Sequence, residues 1–307
     1  MLLPVDVTAG GVVSALGLSC GLAALYLVSL YALPQPSNRN HPRAVIARCI
    51  GASAATIASP LALPAATGVL DAIWLTNAPA TPAASSLMAG SPWLAHHTQA
   101  TLRGLVLFAL LFAGPLLQAA LDSLEYRRQE ARRAAVRQAL RNSHAHHRHP
   151  GTTDGTYDDD SDAQHYDEES SSLHFLRNVV VAPITEEIVF RGCITALMLP
   201  HMSVAACNLL CPLIFGIAHF HHVLRGVPVS VVSVQLVYTS VFGSLSSLLM
   251  LRTHSLAAAV AAHMFCNHMG LPDFEGALNH RHRTLVLGAY VFGLVGFVAA
   301  LCFHSIV

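Results

Sequence analysis

Residues 178–200 read "NVVVAPITEEIVFRGCITALMLP". A membrane helix needs roughly 20 predominantly apolar residues, and this run is long enough. Yet its centre, "TEEIVFRG" at 185–192, holds two adjacent glutamates and an arginine. An ionised side chain at the bilayer centre costs about 2.5–3.5 kcal/mol on insertion scales and almost always faces the bundle interior. From Ser170 to Pro272, Glu186 and Glu187 are the only acidic residues. What surrounds the run tells whether lipid is its solvent, and what it faces tells what the charges are for.

The surroundings are apolar. Of 307 residues, 53% are hydrophobic and 11% charged, against about 25% charged in a typical soluble domain. Mean hydropathy is +0.51. Apolar runs recur at 10–33, 44–70, 104–121, 178–200, 202–220, 227–251, 255–272 and 284–303. They predict an all-α, polytopic membrane bundle of about eight transmembrane helices around an intramembrane cavity, the run at 255–272 being short enough for a buried or tilted helix. The expected organisation is N-terminal transmembrane helices over 1–122, a polar linker over 123–176, a core over 177–274, and a C-terminal loop with the last helix over 275–307. The first run is too long for a signal-peptide h-region and lacks a basic n-region, so it is expected to stay as a span.

The linker has two halves. "EYRRQEARRAAVRQALRNSHAHHRHP" can extend a helix, with Glu125, Arg128 and Arg132 at helical spacing. "GTTDGTYDDDSDAQHYDEESSS" is rich in Asp and Ser and predicts disorder. The "HAHHRH" tract at 144–149 reads as a solvated polar tract rather than a metal site. All 17 basic residues are arginine. With eight spans, the loops holding Arg39, Arg43, Arg48 and Arg127 to Arg177 fall on one side, which the positive-inside rule makes cytosolic. No basic stripe interleaved with aromatics points to nucleic acid. The seven cysteines are odd in number and form no CxxC, so neither a disulfide framework nor a zinc ribbon is indicated.

At 100° per residue, Arg191 lies about 40° from Glu187 and about 140° from Glu186. Glu187 and Arg191 are therefore an i,i+4 pair. Glu186 points elsewhere, without a local counterion, which suits a general base or acid. Two more polar clusters follow. In "FGIAHFHHV" (215–223), His219 falls one turn after Phe215 and His222 one turn after His219, while His221 points away from both. His221 and His222 read equally well as interfacial. In "AAHMFCNHMG" (261–270), His263 and Asn267 share a face and offer donors at one spot, as an oxyanion requires; His268 is peripheral. An interhelical polar clasp is the competing reading of that pair. No GxSxG or HExxH occurs. The simplest chemistry is water activated by Glu186 and His219, attacking a carbonyl whose oxyanion meets His263 and Asn267.

In these residues the chain resembles the type II CAAX prenyl proteases, the Ras and a-factor converting enzymes. That family belongs to a wider group of intramembrane proteins marked by EExxxR, FxxxH and HxxxN. The motifs stand here as "EEIVFR" (186–191), "FGIAH" (215–219) and "HMFCN" (263–267), with the flanks "AHFHH" and "NHMGLPDF". The likeness is strong over 178–274. It implies a helical bundle around a conical cavity open to cytosol and lipid, in the endoplasmic reticulum. It implies an endopeptidase that removes the last three residues of prenylated CaaX proteins, such as farnesylated or geranylgeranylated Ras-like GTPases, cutting after the prenylcysteine. It implies Glu186 and His219 as activators of water, His263 and Asn267 at the oxyanion, Glu187 and Arg191 in support, and no cofactor.

Other readings stay open on the residues alone. Zinc held by Glu186, His219 and His263 is the runner-up cofactor. Cys193, seven residues after Glu186, is a candidate nucleophile without a nearby imidazole. A non-catalytic scaffold and a proton-coupled transporter are the non-hydrolase readings, the latter disfavoured by the lack of internal repeats.

Overall fold

The computed structural model describes residues 9–36, 38, 40–61, 63, 92–145 and 171–302. Among the described residues every regular element is helical. In chain order these are α1 (Ala9–Ser29), α2 (Pro42–Leu61), α3 (Pro92–Leu111) and α4 (Ala113–Ala145). Next comes α5, built of four consecutive segments, Leu176–Val181, Ala182–Glu186, Glu187–Ile194 and Thr195–Met198. Then follow α6 (Val204–Ala218) with a tight 3₁₀ extension (His219–Arg225), α7 (Val229–Thr253), α8 (Leu256–Met269), α9 (Phe274–Asn279) and α10 (Arg283–Cys302). The described residues fall into two compact units. The first draws on Met1–Phe108 and Glu169–Gly270, the second on Ala109–Glu168 and Leu271–Phe303.

Each of the eight apolar runs carries helix, but the expected eight spans are not reached by length and composition. Five described helices are long and apolar enough: Ala9–Ser29, Pro42–Leu61, Val204–Arg225, Val229–Thr253 and Arg283–Cys302. A sixth counts if α3 and the start of α4 form one broken span. The reasons are physical. The α5 run is interrupted by its own charges, and the 14 residues of α8 cover only about 21 Å of rise, short of a bilayer's hydrocarbon core. Val13, Val28, Ile57, Leu209, Val234 and Val241 point outward and exposed, as helices solvated by lipid tails require. The first half of the polar linker continues α4 to Ala145, as its pattern predicts. Its ion pairs join Glu130 to Arg133 at 3.7 Å and to Arg137 at 3.8 Å. Glu125 instead meets Arg281 and His282, each at 3.9 Å. The acidic half, and all of "HAHHRH" after Ala145, lie outside the described residues.

In the first unit, lipid-like apolarity gives no hydrophobic force between helices, so packing and polar bonds must hold them. Gly216 on α6 has no side chain because α7 occupies its space: a Cβ there would meet the side chains of Ser240 and Leu236. Beside it, Ser244 Oγ donates to the Asn208 carbonyl across the same pair at 3.0 Å. α1 packs on α5 through Tyr26, whose ring lies edge-on to Phe190 at 5.8 Å and whose hydroxyl bonds Thr185 Oγ1 at 3.0 Å. Tyr26, Phe190, Ile194, Met198, Cys211 and Phe215 belong to one buried cluster. Ser203 and Ser255 cap α6 and α8 by accepting from Ala206 N and Ala258 N, which sets where each helix begins.

α5 departs from a regular α-helix. Leu176–Val181 and Glu187–Ile194 are π-helical. Pro183 lacks the N–H that would continue the i→i−4 ladder, and Thr185 Oγ1 donates back to Val181 O at 2.9 Å. π-Turns of this kind are frequent at functional sites. Replacing Gly216 by Ala should lower the thermal midpoint in detergent micelles, at a cost of about 1–3 kcal/mol from overpacking. Gly288→Ala, where a Cβ meets nothing within 4 Å, should leave the midpoint unchanged or raise it slightly.

Candidate active site

The two glutamates of α5 have different surroundings. Glu187 is fully buried, and Arg191 is 1% exposed. Arg191 Nη1 lies 3.1 Å from Glu187 Oε1, so the i,i+4 pair forms even on the wider π-helical turn. Two other helices complete the carboxylate's shell. Ser246 of α7 donates to Oε2 at 3.0 Å, and His263 of α8 donates from Nδ1 to Oε1 at 2.8 Å. The guanidinium lies over the Phe215 ring, 4.3 Å from its centroid, and over the Phe242 ring at 5.9 Å. Gly243 makes the room: a Cβ there would lie 3.0 Å from Arg191 Nη2 and 2.9 Å from Pro212 Cβ.

Moving two such ions out of water costs several kcal/mol each, which their attraction offsets only when the remaining valences are met. Here Ser246 and His263 meet those of the carboxylate, while the guanidinium, whose nitrogens make no hydrogen bond, rests on the Phe215 face. Ser246, Phe242 and Gly243 were not singled out from the sequence. Their signal was present: Gly243, Ser246, Ser247 and Met250 are buried positions at i, i+3, i+4 and i+7 of α7, a small-residue stripe of the kind membrane helices use to approach closely.

Glu186 takes no part in that cluster's hydrogen bonds. Its side chain keeps 18% exposure and lines a cavity of about 170 Å³ together with His219, His221, His222, Arg48 and Arg177. His219, at the end of α6, has Nδ1 2.9 Å from the Phe215 carbonyl. A carbonyl only accepts, so Nδ1 carries the proton and the neutral ring keeps Nε2 as an acceptor. Expected to point away, His221 lines the same cavity as His219. The cause is the 3₁₀ turn His219–Arg225, which rotates about 120° per residue and brings His221 about 40° closer to His219 than an α-helix would. Its Nδ1 donates to Ala218 O at 2.7 Å, and its ring lies against His222, tilted by 41° at 4.1 Å between centroids.

His263 bridges the two carboxylates. Nδ1 is held by Glu187, while Nε2 lies 3.7 Å from Glu186 Oε2. Asn267, one turn on, is exposed and donates Nδ2 to the Asn178 carbonyl at 2.9 Å, and Asn178 lies on the cavity wall. The structure thus brings Glu186 and His219 onto one cavity with His263 behind Glu186. It ties Asn267 to the rim through Asn178 rather than placing it on the wall. His268 is exposed against Phe175. Cys193 is buried in the cluster with Phe190 and Ile194 and does not line the cavity.

The two acids should separate by stability. Arg191→Met strands Glu187 and should cost about 3–5 kcal/mol, read as lost folded yield and a lowered thermal midpoint. Glu186→Gln, partly exposed and outside the buried hydrogen bonds, should stay within about 0.5 kcal/mol of the parent in the same measurement.

Residues 168–269 match the family model described as "Type II CAAX prenyl endopeptidase Rce1-like". The chain is 39% identical to CAAX prenyl protease 2 of Homo sapiens over 133 residues, 40% of each protein. Against CAAX prenyl protease 2 of Arabidopsis thaliana it is 39% identical over 143 residues, 43% of this chain and 44% of that one. With the probable CAAX prenyl protease 2 of Schizosaccharomyces pombe, identity is 29% over 294 residues, 88% of each. The chain thus spans about two fifths of the length of the human and Arabidopsis relatives it matches. No solved structure matches. The matched segment contains Glu186, Glu187, Arg191, His219, His263 and Asn267 and is similar to the Rce1-like type II CAAX prenyl endopeptidase family.

Proposed function

We propose that this protein is an endopeptidase that removes the C-terminal aaX tripeptide from prenylated CaaX proteins, cutting after the prenylcysteine. The observation that carries the reading is the division of labour on α5. Glu187 is consumed by Arg191, Ser246 and His263, while Glu186 shares an open cavity with His219.

A water held between Glu186 and the Nε2 acceptor of His219 gives up a proton to this pair as its oxygen attacks the prenylcysteine's own carbonyl carbon. His263 can donate from Nε2 only as the protonated ring, with Glu187 accepting at its other nitrogen. In this form it meets the developing oxyanion, aided by the second N–H of Asn267. The proton taken from water then passes to the leaving nitrogen, the C–N bond breaks, and the tripeptide departs. A metal is not needed for this sequence.

Membrane setting and substrate fit each other. A prenyl chain gains about 0.8 kcal/mol per CH₂ buried in lipid, so the substrate reaches such a site along the bilayer while its peptide end comes from the aqueous side. The reading assigns the endoplasmic reticulum membrane with access from the cytosol, and farnesylated or geranylgeranylated proteins such as Ras-like GTPases as substrates.

Membranes holding the protein should release aaX from a farnesylated CaaX peptide and leave the unprenylated peptide intact, read by mass spectrometry. Glu186→Gln should reduce release at least about 10²-fold, in the range of general-base removal, at unchanged expression. Uncut farnesylated peptide with the parent protein overturns the assignment. Activity should survive prolonged chelation; its loss, with recovery on zinc addition, would favour the metal-dependent reading over this one.

A further inference from the structure

Two arginines enter the cavity beside Glu186, and the water-activating chemistry does not call for them. Arg48 and Arg177 nonetheless both line this cavity, in a chain whose other arginines are mostly in polar segments. Both guanidinium groups are held in set orientations. Arg48 Nε donates to Gln35 Oε1 at 2.9 Å, Gln35 Nε2 in turn donates to Leu30 O at 2.8 Å, and the guanidinium lies over the Tyr31 ring at 5.3 Å. Arg177 Nε donates to Asn178 Oδ1 at 2.9 Å. Guanidinium groups fixed in this way are suited to a carboxylate, which they bind through two parallel charge-assisted bonds.

Spacing points to which carboxylate. Arg177 precedes Glu186 by nine residues on the same helix, a rise of at most roughly 13 Å. An extended tripeptide spans about 10–11 Å. A chain cut beside Glu186 and laid along α5 therefore brings its own C-terminus to the arginines. We propose that Arg48 and Arg177 bind the free α-carboxylate of the CaaX terminus, and that this contact measures the three-residue distance from the cut. The inference rests on the substrate class assigned above. It makes the site specific for a free chain end, since an internal CaaX-like sequence or an amidated end offers no anion there.

Binding separates this inference from the catalytic one. A farnesylated CaaX peptide acid and its C-terminal carboxamide are compared for binding to the purified full chain in detergent micelles, with Glu186→Gln present to prevent turnover. The acid should bind at least about tenfold more tightly, equal to roughly 1.4 kcal/mol. Arg177→Gln and Arg48→Gln, each added to that background, should remove most of the preference while changing amide binding less than about twofold. A merely structural role would weaken acid and amide alike. Equal binding of acid and amide by the parent, or equal loss of both in the arginine variants, overturns the proposal. Acid preference without cleavage by the wild-type chain leaves it standing and sinks the protease reading; cleavage of acid and amide at equal rates does the reverse.

Discussion

Burying Glu187 against Arg191 takes two charges out of solvent inside a membrane-type helical bundle. That choice constrains what is around it. The carboxylate must be bonded on both oxygens, so α7 supplies Ser246 and α8 supplies His263. The guanidinium must have space and a π face, so α7 carries Gly243 and α6 carries Phe215. One ion pair on α5 thereby fixes the approach of three other helices in a medium that supplies no hydrophobic force of its own. Breaking a buried pair costs far more than never having one, so the pair acts as a register pin.

The same pin orients the polar groups around the cavity. Because Glu187 holds His263 Nδ1, the other ring nitrogen is directed at Glu186. Because α6 ends at Ala218 in a tighter turn, His219 and its neighbours are gathered at one mouth. The result is an acid with residual exposure, three imidazoles and two anchored arginines in the space of one small cavity. Two guanidinium groups beside the carboxylate prepare the place for another anion. That combination is what a site for a chain terminus requires.

Much of this was legible before any coordinates. Glu187 with Arg191, and Glu186 apart from them, followed from helical spacing and held although the local helix is π rather than α. The spacing of His263 and Asn267 gave a shared face, and both do act on α5. What spacing could not reveal was what they would bond to. Asn267 reaches a backbone carbonyl of α5, and His263 reaches a carboxylate 76 residues earlier. His221 was misplaced because a regular α-helix was assumed where a 3₁₀ turn stands. Among the described residues five helices, or six with the broken pair, are long and apolar enough to span, because charges and helix caps break some of the apolar runs.

Local pattern determined what is set by local physics: the all-helical membrane class, the pairing of residues one turn apart, and the identity of the costly polar groups. Each depends on a period of about 3.6 residues or on transfer from water. Tertiary structure alone decided which of two adjacent glutamates is enclosed, that Ser246 and His263 satisfy it, and that Arg48 from α2 shares a cavity with Glu186. Those outcomes depend on helix approach, and helix approach in lipid is settled by where small residues allow backbones to close and buried polar groups compel them to.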